Sequence, residues 1–260
     1  MTENCTPALY CWNDKVLYIG QEQGRGLRSH SDAPVAALVA GMTGDISLSS
    51  DLKPEMELKC RSAFWQPGSS WNDQFTDHFS SSLMIDPLNP LRQAIVSRTT
   101  AHDLDCGYKL DNEEQWIELL QEIYRDRPEQ DEVEARIHEL FYPNSAEPQE
   151  SSLDKRIVEI AGLLEQNYMI KKTTAELAEH VNLSEVHLVQ LFKRQVGVPI
   201  GRYIFWRRFL HTMRAVLQGK NVTESAMEAG FADTAHFSRA FKTAIGVSPS
   251  KYWKRLYQKT

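Results

Sequence analysis

Long apolar runs are missing from this 260-residue chain. No stretch nears the roughly 18 uninterrupted apolar residues of a membrane span, so no membrane partner is expected. The opening MTENCTPALYCWND lacks the basic-then-apolar order of a secretory leader, so the expected location is the cytoplasm. Paired cysteines are missing as well. Cys5, Cys11, Cys60 and Cys106 form no C-x-x-C pair and have no histidine at zinc spacing. In a reducing compartment this predicts free thiols, several of them buried, rather than a disulfide framework or a structural metal. Histidine is sparse in residues 1–110, where Ser29-His30-Ser31 offers one imidazole and only His78 and His102 follow. A metal-dependent enzyme would need a denser set of ligands. No nucleophile–base pair or phosphate loop is visible. The chain is therefore read as a non-enzyme without cofactor or metal.

What is present is an uneven charge. The net −6 divides into −14 over residues 1–152 and +8 over residues 153–260. Only the second half is suited to a polyanion, and clustered Lys and Arg bind a phosphate backbone through counterion release. A chain of this length is also longer than one compact domain usually needs. The join is YPNSAEPQESS, residues 142–152, which is polar and contains two prolines.

An α+β chain follows, with the classes of structure separated along the sequence. Residues 1–110 read as a β-rich domain, a small antiparallel barrel or sandwich. Its strands are VLYIG (16–20), VAALVAG (35–41), DISLS (45–49), MELKCRSAFW (56–65) and SSLMIDP (81–87), punctuated by proline and glycine. Trp12, Trp65, Trp71, Phe64, Phe75 and Phe79 serve either as its core or as the lining of an apolar ligand pocket. From Asp111, read as an N-cap, the period becomes helical: Trp116, Leu119, Leu120, Ile123 and Tyr124 share one face, and Val133, Ile137, Leu140 and Phe141 share another. This pair, 111–141, must bury its stripe on the barrel, on a second subunit, or on both, and it is the candidate homodimer contact. Residues 153–260 read as all-helical, with a long helix from about Pro199 to Leu217 ended by Gly219 and a last short helix near Pro249–Leu256.

An internal repeat carries the function. SEVHLVQLFKRQVG (184–197) matches DTAHFSRAFKTAIG (233–246) at an offset of 49, with His187/His236, Phe192/Phe241, Lys193/Lys242 and Gly197/Gly246 identical. Upstream, Ala178 pairs with Ala226. Each unit is a short helix, a turn and a longer capped helix, the helix-turn-helix arrangement whose second helix enters the major groove. GFADTAHFSRAFKTAIGVSPSKYW (230–253) and LAEHVNLSEVHLVQLFKRQVGVPIGRYI (177–204) resemble the two helix-turn-helix signatures of AraC/XylS-type transcription regulators. The resemblance covers about 155–255. It implies a seven-helix DNA-binding domain whose units are joined by a rigid helix, preceded by a sensing and dimerisation domain, often cupin-like. Ser225 and Thr212 depart from the family pattern, which has a branched apolar residue and an alanine there; the departures bear on packing.

The family's base-reading positions map onto Val186, Val189 and Gln190 in the first unit and onto Thr234, Ala235, His236 and Arg239 in the second. A guanidinium at Arg239 suits guanine, Gln190 suits adenine, and the valines can pack only on thymine methyls or sugars. Ser184, Lys193, Arg202, Arg208, Lys242 and Lys251 are the candidates for phosphate contact. The expected partner is double-stranded DNA, met at successive major-groove segments about 34 Å apart. RNA polymerase and a small-molecule effector are further candidate partners. The alternative is a cupin-type or DNA-repair enzyme tethered to DNA by the basic half; the first would need an H-x-H pair with a carboxylate and a further histidine, the second clustered zinc cysteines, and neither set is visible in this chain.

Overall fold

A computed structural model describes residues 6–21, 25–29, 34–50, 53–69, 71–76, 79–103, 106–143, 153–166, 173–245 and 248–250. Cys5, His30, His78, Lys251, most of the 142–152 linker and the end of the last helix lie outside the described residues, as do the side chains of Phe75 and Ala240.

The first half is built from β1 (Ala8–Cys11), β2 (Lys15–Gln21), β3 (Arg25–Ser29), β4 (Ala36–Gly41), β5 (Ile46–Ser50), β6 (Lys53–Cys60), β7 (Ser62–Trp65), β8 (Trp71–Thr76) and β9 (Phe79–Ile85), then α1 (Leu91–Ser97), β10 (Thr99–Asp103) and β11 (Cys106–Leu110). They form a seven-stranded sheet, β1-β2-β9-β4-β7-β11-β10, and a four-stranded sheet, β3-β8-β5-β6. Among the described residues the sheets stay open, with β1 and β10 at the edges of the larger one, so of the two expected forms, barrel or sandwich, it is the sandwich that is found. The stretch expected as one strand over 56–65 is two, and they lie in different sheets. The chain changes sheet at Arg61, whose guanidinium donates to the Gly41 and Met42 carbonyls at 2.7 and 3.1 Å.

Strand alternation gives the large sheet two buried faces. Ala37, Val39, Ala63 and Trp65 face Ile46, Leu48, Cys60 and Trp71 of the small sheet. Leu17, Ile19, Leu38, Phe64, Leu83 and Ile85 face the helices α2 (Glu113–Asp126) and α3 (Gln130–Phe141). The N-cap of α2 is Asn112, one residue later than expected, with Glu113 and Glu114 in the first turn. The helical stripe, from Trp116 to Phe141, is spent on this sheet. A subunit contact through α2 and α3 therefore has only their polar outer faces to use. Trp12, Phe64, Trp65 and Trp71 are packed core. Phe79 is half-buried, edge-on to Tyr124.

The second half contains α4 (Lys155–Gln166), α5 (Thr174–His180), α6 (Glu185–Val196), α7 (Ile200–Leu217), α8 (Val222–Glu228) and α9 (Thr234–Ile245); residues 249–250 are helical again. Asp154 accepts from the Arg156 amide at 3.0 Å ahead of α4.

The two halves share a core. Trp206, Phe209, Leu210, Met213 and Val216 of α7 pack with Cys11, Val16, Tyr18, Val35 and Met84 of the β domain. Burial pushes the Cys11 thiol up to about 12. Beside this apolar contact, Arg207 Nη1 donates to Asp86 Oδ2 at 3.1 Å, while its Nη2 lies 3.3 Å from Glu165 on α4. Asp86 is buried and also accepts from the Leu88 amide at 2.9 Å. Burial raises its carboxyl above the usual range, and the Arg207 guanidinium opposes that rise. One guanidinium thus ties α4, α7 and the turn after β9 together. Breaking a buried pair on one side leaves an uncompensated charge. Asp86→Ala is expected to cost about 3–5 kcal/mol by denaturant titration, most of it recovered in Asp86→Leu/Arg207→Met. A single-variant loss below about 1 kcal/mol would remove the pair from the interface account.

Candidate nucleic-acid interface

The two units are built with the same bonds. In the first, Thr173 and Glu176 form a reciprocal capping box at the start of α5. The chain then turns through Asn182, at φ 53°, and the Leu183 amide returns to the Ala178 carbonyl at 2.9 Å. Ser184 opens α6 by accepting from the His187 amide at 3.3 Å. In the second, Asn221 accepts from the Thr223 and Glu224 amides ahead of α8. Gly230, at φ 83°, makes the turn, and the Phe231 amide returns to the Ala226 carbonyl at 3.0 Å. Asp233 opens α9 by accepting from the His236 amide at 2.6 Å. Ala178 and Ala226 are both buried at these crossings, where a larger side chain would separate the helices.

In α6, Leu188, Leu191, Phe192 and Val196 are buried. Phe192 meets Tyr203 of α7 with ring centroids 5.4 Å apart. In α9, Phe237 and Phe241 are buried against Phe209 of α7 and against each other. The opposite faces are open: Val186, Val189, Gln190 and Lys193 on α6, and Ala235, Arg239 and Lys242 on α9, with Thr234 and Ser238 partly so. Neither helix tip is buried. Residues 177–255 match a family model described as a helix-turn-helix domain.

These residues are an AraC-type helix-turn-helix domain.

Relatives of this domain include HptR, a transcriptional regulatory protein of Staphylococcus aureus (strain NCTC 8325 / PS 47). It is 30% identical over 102 residues, 39% of this chain and 40% of that protein. The transcriptional activator RhaR of Enterobacter sp. (strain 638) is 34% identical over 113 residues, 43% of this chain and 38% of that protein. The chain thus spans about two fifths of the length of these curated relatives. The whole chain has the fold of ToxT. An apo ToxT variant from Vibrio cholerae strain SCE256 superposes with a TM-score of 0.62 at 15% identity, covering 93% of this chain and 97% of that one. Wild-type ToxT of the same strain, bound to an unsaturated fatty acid, gives 0.60 at 12% identity over 98% of both chains.

Within the AraC-type domain the remaining candidates sort by burial. Ser184 and Arg202 are exposed. Arg208 is not: it lies half-buried under the second turn, where a Cβ on Gly230 would come within 3.2 Å of its guanidinium. Burial also lowers its pKa. His236 is half-buried too, its ring 5.3 Å from that of Phe231 and 5.7 Å from that of Phe205. Both face the second unit's interior packing more than its surface. Of the two departures from the family pattern, Thr212 is accommodated by donating to the Arg208 carbonyl at 3.0 Å. Ser225 is fully buried, and its hydroxyl has no hydrogen-bond partner among the described residues. Sequence reasoning missed Arg207 altogether. The signal was a cation standing in the α7 stripe of Tyr203, Trp206 and Leu210, a position that calls for a buried partner.

Phe241 anchors α9 against the rings of Phe209 and Phe237, so removing its own ring leaves a cavity. Phe241→Ala is expected to cost about 3–5 kcal/mol in thermal unfolding. An unchanged melt would contradict its core placement.

Proposed function

We propose that this chain is a sequence-specific transcription regulator that binds duplex DNA with two helix-turn-helix units and answers to an effector through its β domain. One observation carries the proposal: two units with equivalent caps, turns and crossings present open second-helix faces in the half of the chain that holds the +8 charge. In it, Val186, Val189 and Gln190 of α6 and Thr234, Ala235 and Arg239 of α9 meet base edges. Ser184, Lys193, Arg202 and Lys242 meet phosphates, which position the protein without reading sequence. His236 and Arg208 are assigned to packing. The matched relatives are regulators by name, and nothing in them favours the enzyme alternative.

The effector role draws support from ToxT, which is described with an unsaturated fatty acid bound. In this chain Ser80 and Ser82 share a sheet face with Gly20, Gly41 and Val39, the face turned to the small sheet. Their hydroxyls are buried without a hydrogen-bond partner among the described residues. A small molecule between the sheets would supply one. The α7 contact with β1, β2 and β9 then transmits the change to both units. The chain acts as a homodimer that contacts RNA polymerase. Its subunit contact draws on the outer faces of α2 and α3, where Gln115, Glu118, Glu122 and Glu139 line a shallow groove.

The test is base readout. Arg239→Ala is expected to weaken binding to a selected duplex by about 1–3 kcal/mol and to relax one base position, leaving random-sequence binding nearly unchanged. Equal losses on selected and random duplex would make Arg239 a phosphate contact and remove it from the reading face.

A further inference from the structure

The two units share a frame but not a tip. On α6, Val186, Val189, Gln190 and Lys193 stand at i, i+3, i+4 and i+7, a single stripe. The same four places on α9 hold Ala235, Ser238, Arg239 and Lys242. Large apolar side chains are exposed at four described positions, Val158, Val186, Val189 and Met227, and two of those four form this one pair on α6. Val186 is 67% exposed and Val189 37%. Folding does not explain them, because Leu188, Leu191 and Phe192 already fill the core side of the helix.

A valine offers no hydrogen bond, so its contribution to recognition must come from apolar contact. In the major groove the one apolar group on a base edge is the thymine 5-methyl. Side chains at i and i+3 stand about 5–6 Å apart, close enough to meet methyl groups on successive base pairs. Exposed Lys193, one turn beyond Val189, and exposed Arg202, in the basic half of the chain, suit the flanking phosphates. A duplex therefore fits this stripe better than an apolar protein surface would.

We propose that the first unit reads its part of the operator through the methyl groups of neighbouring thymines, held by Val186 and Val189, with Gln190 on an adjacent adenine. The second unit, with Ala235 and Ser238 at the matching places, reads chiefly through Arg239 on guanine. The bound sequence is then chemically lopsided: rich in A·T under α6 and marked by guanine under α9. This rests on the DNA-binding role proposed above.

The experiment uses the full chain and a randomised duplex library. The preferred duplex is rebuilt with deoxyuridine in place of thymine, which deletes the methyl and leaves every hydrogen-bonding group. Affinity is expected to fall about fourfold per contacted methyl, at two positions confined to one half of the site. The Val186→Ala/Val189→Ala variant, whose changes lie on the surface and leave the melt unaltered, should bind the thymine duplex at the level seen with deoxyuridine and ignore the swap. Equal binding of both duplexes by the parent chain would overturn the proposal, as would full methyl sensitivity in the double variant, or sensitivity confined to the half read by Arg239. Failure to enrich any duplex is a different result: it would overturn the DNA-binding role itself.

Discussion

One helix, α7, is packed on three sides, and the rest of the molecule is arranged around it. Its first turns, through Ile200 and Tyr203, close the core of the first unit. Its later turns, through Phe209, Met213 and Val216, close the core of the second. Between them Arg207 and Leu210 meet the β domain. An 18-residue helix is about 27 Å long and bends little, so the spacing of the two units is set by a single rigid object. Interiors are close-packed, and a shift on one face of such a helix is felt on the others. The effector response proposed above needs no more than this: a changed β domain would alter the seat of the helix that carries both units.

The repeat separates holding from reading. Caps, turn hydrogen bonds and crossing alanines are the same in kind in both units, down to a left-handed turn residue, Asn182 in one and Gly230 in the other. These features satisfy backbone groups that would otherwise be orphaned at helix ends. The outward stripes are free of that duty and have diverged, to valines and an amide in one unit and a guanidinium in the other. By charge count, −14 over residues 1–152 against +8 over 153–260, attraction to a phosphate backbone belongs to the half that carries both units.

Much of the helical half was legible in the sequence, because its periods are long and its caps are standard residues. Ser184, Asp233, Pro199 and the Phe192/Phe241 pair stand where local chemistry places them. The β domain was less legible. Strands β6 and β7 run together as one apolar stretch, and only the Arg61 side chain bonding back to Gly41 and Met42 separates them. The edge strands β1 and β10 are short and carry little alternation. Whether the α2–α3 stripe covers a sheet or a second chain cannot be read from periodicity, since either surface satisfies it. Arg208 and His236 illustrate the same limit at the site. One is a candidate phosphate contact by sequence and the other a candidate base-reading position, yet Arg208 lies against Gly230 and His236 against Phe205 and Phe231. The Asp86–Arg207–Glu165 cluster joins the turn after β9 to α7 and α4, and no local window contains it.

The claim that α7 belongs equally to the β domain and to both units is tested most directly by native-state hydrogen exchange on the full chain. If it holds, the amides of Tyr203–Val216 open at the same free energy as those of β2 and β9, in one cooperative unit. If α7 opens well below β2 and β9, the halves are separately stable bodies in loose contact, and the shared-core account fails.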